Sequence, residues 1–293
     1  MKESRSMPAQ SVVDAHLHLW QPSRHDWYPQ LADFAAHTGT PALADDFLLP
    51  EYDRAAAATT VTGLVHVSAT TDRHAYLDET RWIDEMAATT ERPIAIVGAV
   101  DPTLDGPDLL RHLEQQARSP RLRGIRVFQG LSPNTPAADT IASWLQERDA
   151  VFDLVAHPGD MLDWIDFLAG YPRLRVVLEH LGLPTGTDQA ARTAWQNALS
   201  LAAKETGWQC KLSGLGMICP DFRWPTLEYW LETSIQLWGW QRLIFGSNMP
   251  IDTMAGSFGE LLAAVDRAVA ADATEQEAEL FYGGTAAATY ALG

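Results

Sequence analysis

The sequence is poor in cysteine and in basic residues, and it has no long apolar run. Two cysteines in 293 residues, Cys210 and Cys219, are too few for a disulfide framework, so a reducing, cytoplasmic setting is the simpler expectation. No stretch reaches about 18 apolar residues, and residues 1–10 lack a signal-peptide core, so we expect no membrane association. The 38 acidic residues outnumber the 21 basic ones, for a formal charge of −17, which disfavours nucleic acid as a partner.

Short β-rich runs recur along the chain, with helical segments between most of them. The runs are Ser11–His16, Gly63–Val67, Ile94–Val100, Gly124–Phe128, Val151–Ala156, Leu174–Glu179, Gln209–Leu212 and Leu243–Gly246. The helical segments include Asp105–Arg118, Asp188–Thr206 and Thr226–Leu237. Eight such units predict a single-domain (β/α)8 TIM barrel over residues 11–293, after a disordered polar extension at 1–10. A doubly wound open sheet is the alternative, but no Gly-rich phosphate loop follows the first strand.

The segment Gln21–Glu51 is too long for a simple connection after the first strand. It is rich in Trp, Tyr, Pro and Asp. We therefore expect a loop that covers the mouth of the barrel.

The run Val-Val-Asp-Ala-His-Leu-His at 12–18 carries the strongest local signal. Because side chains alternate along a strand, His16 and His18 are expected on one side and Leu17 on the other. Two imidazoles at a strand end can bind one divalent cation.

Polar side chains follow most of the predicted strands, where the active sites of TIM barrels lie. They are His16, His18, His66, Ser68, Asp101, Arg126, Gln129, His157, His180, Lys211, Ser213, Ser247 and Asn248. The clustering of histidines after strands one, five and six indicates metal binding or acid–base chemistry at the mouth.

Six motifs occur in register with a known group of proteins. They are Val-Asp-Ala-His-Leu-His-Leu-Trp at the start, Gly-Ile-Arg at 124–126, His-Pro-Gly-Asp at 157–160, Leu-Glu-His-Leu-Gly-Leu-Pro at 178–184, Lys-Leu-Ser-Gly-Leu at 211–215 and Phe-Gly-Ser-Asn-Met-Pro at 245–250. Over residues 12–290 the chain resembles the amidohydrolase superfamily. The branch it resembles most is the amidohydrolase-2 type, which includes sugar lactonases and 2-pyrone-4,6-dicarboxylate lactonase.

The resemblance implies a catalytic water surrounded by histidines and a strand-eight Asp, usually on a divalent metal. His16, His18, His157 and His180 match the histidine positions, and His16, His18 and His180 are the metal-ligand candidates. The strand-eight position carries Asn248, which cannot accept a proton from water at neutral pH and is a weak, uncharged ligand. Two possibilities stay open. One zinc or manganese ion binds the histidines with weakened support, or the protein works without metal, as the pyrone lactonases of this branch are thought to do.

Arg126 is the candidate to bind a carboxylate or a lactone carbonyl, with an ion pair to Glu179 inside the barrel as the alternative. His180 or His157 would be the base in place of Asn248, although His157 also suits a role on the rim. Lys211 and Ser213 are candidates to contact substrate or to solvate the rim. Trp27 and Tyr28, with Trp20, could form an aromatic wall, and His66 is expected to be a hydrogen-bonded barrel histidine.

The predicted activity is hydrolysis of a lactone or related cyclic ester of a small organic acid or sugar acid, by attack of water at the mouth. One alternative is a metal-dependent decarboxylase of a small aromatic or unsaturated acid, because the fold and the His pair do not distinguish these reactions. Another is a tailoring or binding protein that lost hydrolysis with the strand-eight carboxylate. A small molecule is the expected partner in each case, and homo-oligomerisation is left open.

Overall fold

The computed structural model describes residues 11–292, so the predicted extension at 1–10 lies outside the described residues. Eight strands form one parallel sheet in sequential order. They are β1 (Val12–Leu17), β2 (Val61–Val67), β3 (Ile94–Ala99), β4 (Leu122–Arg126), β5 (Val151–Leu154), β6 (Arg175–Leu178), β7 (Gln209–Leu212) and β8 (Leu243–Phe245). Beyond β8, the amide of Asn248 donates to the carbonyl of His16 (2.7 Å), and the amide of His18 donates to the carbonyl of Met249 (2.8 Å). These two bonds join the last strand to the first, and the predicted TIM barrel is confirmed.

Helices follow the strands and cover the outside of the barrel. They are α1 (Leu31–His37), α2 (Leu49–Ala55), α3 (Tyr76–Ala87), α4 (Gly106–Gln116), α5 (Pro136–Glu147), α6 (Met161–Leu168), α7 (Gln189–Glu205), α8 (Trp224–Trp238), α9 (Phe258–Asp272), α10 (Glu275–Glu279) and α11 (Thr285–Tyr290). The carboxylates of Asp105 and Asp188 cap the first amides of α4 and α7, so two of the predicted helices begin at local signals. Within residues 11–292, no helix is both long enough and apolar enough to cross a membrane.

The segment after β1 contains more regular structure than the loop we expected. It holds α1, a 3-10 helix at Pro41–Ala44 and the first turn of α2. Trp20 and Phe47 exchange two backbone hydrogen bonds of 3.0 Å, and this layer packs against Ile251 and Met254 after β8. It therefore covers the β1–β8 side of the mouth, as predicted, but as short helices.

The first strand contains an irregularity that decides where its side chains point. Between Asp14 and Leu17, β1 has one residue more than the facing part of β2. Val13 and Ala15 pack inside the barrel, whereas Leu17 belongs to the outer layer beneath the helices. Such a bulge shifts the alternation of side chains by one residue. The shift turns His16 and His18 toward the interior. Val13 and Ala15, at the start of the strand, still fill the barrel with small apolar groups.

The interior of the barrel is closed at the N-terminal ends of the strands by an aromatic ring from α11. Tyr290 packs with inward-facing valines, and its single hydroxyl proton is shared by the two carboxylate oxygens of Asp153, which lie 2.9 and 3.0 Å from the hydroxyl oxygen. Asp153 also pairs with the ammonium group of Lys211, and both side chains are fully buried. An acid in an apolar interior must be hydrogen-bonded and paired, and here Tyr290 and Lys211 satisfy it together.

We expect Tyr290→Phe to lower the free energy of unfolding by about 1–3 kcal/mol, because it removes the hydroxyl donor from a buried carboxylate. Urea denaturation measures this. Tyr171→Phe is the matched control, since its hydroxyl donates to Asp139 at the surface (2.6 Å) and should cost less than about 0.5 kcal/mol. Equal losses in the two variants would contradict the structural role of the Tyr290 hydroxyl.

Candidate active site

Three imidazoles converge at the C-terminal ends of β1 and β6. The ring of His16 lies 5.0 Å from that of His18 and 4.3 Å from that of His180, measured between centroids. All three side chains are buried. The sequence placed the first two on one side of β1 with Leu17 opposite, and the structure agrees.

A carboxylate completes this cluster. Glu179 follows β6 directly and begins a 3-10 helix at Glu179–Gly182. Its Oε1 lies 3.6 Å from Nδ1 of His16, and its Oε2 lies 3.8 Å from Nε2 of His180. The candidate ligand atoms of these three residues all lie within 4.8 Å of one another, and we call this group the His–Glu–His cluster.

The His–Glu–His cluster fits a divalent transition-metal ion. Nε2 of His16 and Oε1 of Glu179 are buried and have no hydrogen-bond partner, which is unusual for buried polar atoms. Two imidazole nitrogens and one carboxylate oxygen are a donor set typical of zinc and related ions. His18 lies outside this group of ligand atoms within 4.8 Å of one another, and its Nδ1 lies 2.8 Å from the carbonyl oxygen of Val67.

Burial keeps the imidazoles neutral. Desolvation lowers the pKa values of His16 and His180 well below the usual value and lowers that of His18 to about 3. Neighbouring positive charges, including Arg126, add to each shift. Burial raises the pKa of Glu179, and Arg126 and Lys211 oppose that rise. Neutral imidazoles keep the lone pair that a metal ion or a proton requires.

Arg126 lies beside the cluster in the ion pair that the sequence left as an alternative. Its Nη1 donates to Oε2 of Glu179 (3.4 Å), and its Nη2 donates to the carbonyl of Ser68. The guanidinium also lies 5.3 Å from the centre of the Phe128 ring, and this ring is half exposed. Arg126 therefore fixes the Glu179 carboxylate and places a positive charge between that carboxylate and an exposed aromatic ring.

Two residues of the site have backbone conformations in the left-handed region. His180 has φ 50°, and Asn248 has φ 53°. For an imidazole side chain this conformation costs about 1–2 kcal/mol, and such costs are concentrated at functional sites. Gly214 leaves room for the ring of His180, since a Cβ there would lie 2.6 Å from Nδ1. Oγ of Ser213 lies 2.9 Å from the same atom, so the two residues that follow β7 hold the His180 ring in place.

Asn248 is part of a buried chain of polar groups. Its Nδ2 donates to Oδ1 of Asp252 (2.7 Å), and its side chain opposes the lowering of the pKa of His18. Asp252 is fully buried, its Oδ2 has no hydrogen-bond partner, and burial raises its pKa to about 7. The carboxyl group of Asp252 is thus hydrogen-bonded to the amide of Asn248, which stands where an aspartate was expected after strand eight.

The remaining predicted residues lie farther from the cluster or have other neighbours. His157 is exposed, and its Nδ1 lies 3.3 Å from the carbonyl of Leu183, which places it on the rim. Lys211 is fully buried beside Asp153 instead of on the rim. Trp27 is half-buried and Tyr28 buried, in the layer that covers the mouth.

The aromatic ring beside the histidines is Trp20, which stacks on His18 with ring centres 6.3 Å apart. Tyr28 lies behind Trp20, at 6.4 Å between centroids, and Trp27 stacks on His25 at 3.8 Å. Nδ1 of His66 accepts a hydrogen bond from the amide of Leu19 (3.2 Å), whereas its buried Nε2 has no partner, so this barrel histidine is only partly hydrogen-bonded.

Three acidic residues of the site were not predicted as functional. Glu179 was considered only as an ion-pair partner, although it directly precedes His180 at a strand end. Asp153 is an isolated acid in the apolar run Val-Phe-Asp-Leu, which is a signal for an inward-facing charge. Asp252 follows Asn248 by four residues, and nothing in the sequence distinguishes it from a surface acid.

Comparisons with known proteins agree with this geometry. The family model described as amidohydrolase matches residues 13–292. The chain is 30% identical to an L-fucono-1,5-lactonase of Burkholderia multivorans, with 96% of each chain covered. It is also 30% identical to an L-fucono-1,5-lactonase of Burkholderia ambifaria, with 85% of this chain and 83% of the relative covered. The crystal structure of a Burkholderia multivorans amidohydrolase with bound zinc has a TM-score of 0.82 and 26% identity, and covers 97% of this chain and 100% of its own.

We expect Asn248→Asp to make the stability of the protein depend on pH above neutrality. Because the folded-state pKa of Asp252 is raised, the wild type loses stability as pH rises from about 4 to about 7. In the variant, a second carboxyl group replaces the amide of the 2.7 Å contact with Asp252, and repulsion between the two carboxylates raises the pKa of one of them further. The loss of stability in the variant therefore continues above pH 7.

Thermal unfolding between pH 5 and pH 9 measures this effect, and we expect a deficit of about 2 kcal/mol or more at pH 9. Asn197→Asp on the exposed face of α7 is the control. Superimposable pH profiles of Asn248→Asp and the wild type would show that the two side chains do not interact in solution.

Proposed function

Since the chain belongs to the amidohydrolase family, we propose that it is a lactonase that opens the 1,5-lactone ring of a sugar acid. The similarity over almost the whole chain to two L-fucono-1,5-lactonases carries the substrate class. The buried His–Glu–His cluster beside an arginine, at the end of the barrel where such enzymes react, supports the chemistry.

Arg126 suits the charge that develops during lactone opening. Attack of water on the ring carbonyl produces an oxyanion, and ring opening leaves a carboxylate. A guanidinium already oriented by Glu179 and Ser68 stabilises both without reorganisation. The half-exposed Phe128 beside it offers an apolar face to a sugar ring.

His180 is the cluster imidazole best placed to manage the proton of the attacking water. When its Nδ1 donates to Ser213, the lone pair of Nε2 points to the Glu179 side of the cluster. This lone pair serves either a metal ion or the proton of water, and metal titration distinguishes the two uses. His157, the other predicted base, lies on the rim with its ring hydrogen-bonded to Leu183.

Zinc or manganese is the metal that we propose for the His–Glu–His cluster. Such an ion, held by His16, Glu179 and His180, would supply a Lewis acid for the carbonyl and lower the pKa of water. The chain's own contribution is to hold the three side chains together, neutral in the case of the imidazoles, and shielded from solvent.

We expect His16→Ala and Glu179→Gln to weaken zinc binding by at least about 10-fold, whereas His18→Ala should change it less because His18 lies outside the group of ligand atoms within 4.8 Å of one another. Competition with a chromophoric chelator gives the dissociation constants, and elemental analysis gives the stoichiometry. His74→Ala in an exposed loop is the control. A loss in His18→Ala as large as in His16→Ala would instead support the three-histidine set predicted from the sequence.

The activity is tested with sugar 1,5-lactones and matched 1,4-lactones, with acid release followed by a pH indicator. We expect a kcat/KM of about 10⁴ M⁻¹s⁻¹ or more for at least one 1,5-lactone. In Arg126→Lys this value should fall by about 10- to 1,000-fold, because lysine keeps the charge but loses the planar fork. Arg123→Lys, toward the other end of the same strand, is the control.

Two results would overturn the proposal. Release of carbon dioxide from aromatic carboxylic acids, without lactone hydrolysis, would identify a decarboxylase. Tight binding of lactones without turnover would identify a binding protein.

A further inference from the structure

The barrel interior contains a buried positive charge directly beneath the His–Glu–His cluster. Nζ of Lys211 lies 3.5 Å from Nδ1 of His16, the same atom that lies 3.6 Å from Glu179. Lys211 is fully buried on β7, and its nearest acid is Asp153 on β5. Nδ1 of His16 in the proposed metal site thus lies beside both an ammonium group and a carboxylate.

The ammonium group is fixed in this position. One N–H is directed to Asp153, one faces His16, and the group lies 5.1 Å from the centre of the Tyr290 ring. Asp153 is itself held by the hydroxyl of Tyr290. Two of the three donors of the ammonium group thus face acceptors, and an aromatic ring lies beside the group. Lys211 therefore cannot move aside without leaving Asp153 as an unpaired buried charge.

We propose that Lys211 is an internal cation of the proposed metal site: it occupies the side of His16 where a second metal ion would bind, and it limits the cluster to one weakly held divalent ion. An N–H donated to Nδ1 of His16 also places the proton of the neutral ring on Nε2, so the ammonium group competes with a metal ion for this imidazole. Arg126 adds a second positive charge on the other side of Glu179. Two fixed charges near a divalent ion weaken its binding strongly in an interior of low dielectric constant.

Asp153 supplies the other half of this inference. The Asp153 carboxylate on β5 and Nδ1 of His16 both face the same ammonium group. Once the lysine charge is removed, Asp153 and His16 together could bind a cation. The inference depends on the metal site of the proposed function but not on the lactone substrate.

The test compares zinc binding by the wild type, Lys211→Met, Lys211→Met/Asp153→Asn and Lys204→Met. Methionine matches the length of the lysine stem without its charge. The double variant removes both charges and protects against misfolding from an unpaired Asp153. Lys204 is exposed on α7 and is the other lysine between residues 11 and 292. Chelator competition gives affinities, elemental analysis gives equivalents of zinc, and circular dichroism verifies folding.

We expect Lys211→Met to bind zinc at least about 10-fold more tightly than the wild type, or to bind a second equivalent. The double variant should fall between the two, and Lys204→Met should match the wild type. If Lys211→Met does not fold, a double variant that binds zinc more tightly than the wild type still supports the inference.

The inference is overturned if the folded Lys211 variants bind zinc as tightly as the wild type or more weakly. It is also overturned if none of the four proteins binds zinc. Lactone hydrolysis is measured separately. Absence of hydrolysis together with the expected zinc affinities would refute the proposed activity and leave the internal cation in place.

Discussion

The organisation of this barrel depends on the pairing of charges that have no access to water. Glu179 and Asp153 are fully buried, and each faces a cation from another strand. An unpaired charge at this depth would be strongly destabilising, so the two ion pairs fix four strands relative to one another. The histidines lie between these pairs. Their neutrality and their free lone pairs follow from the charges around them and from burial.

The fold could be predicted from the sequence because its signals are local. Continuous apolar runs mark the strands, and acidic caps mark helix starts such as those of α4 and α7. The strands were predicted to within about two residues. The bulge in β1 could not be predicted, because it depends on the register of β1 against β2 and not on the residues of β1 alone. The predicted orientation of the histidine pair was nevertheless right, since the alternation rule holds beyond the bulge.

The site was only partly predictable for a related reason. His16, His18 and His180 lie at strand ends and come together as expected. The contacts between Glu179 and His16, and between Asp153 and Lys211, join residues more than 50 positions apart, and they exist only once the barrel has closed. His157 follows its strand by two residues more than the sequence indicated, and this displacement is enough to move it from the interior to the rim.

The left-handed backbone at Asn248 restricts how this position can change in evolution. Asparagine and aspartate are among the few residues other than glycine that adopt this conformation readily, and β-branched or bulky residues are disfavoured. The backbone thus allows an exchange between amide and acid while resisting most other replacements. A lineage can remove or restore a negative charge at the centre of the site without altering the fold around it. Because the side chain at position 248 contacts Asp252, an exchange to aspartate brings two carboxyl groups into contact.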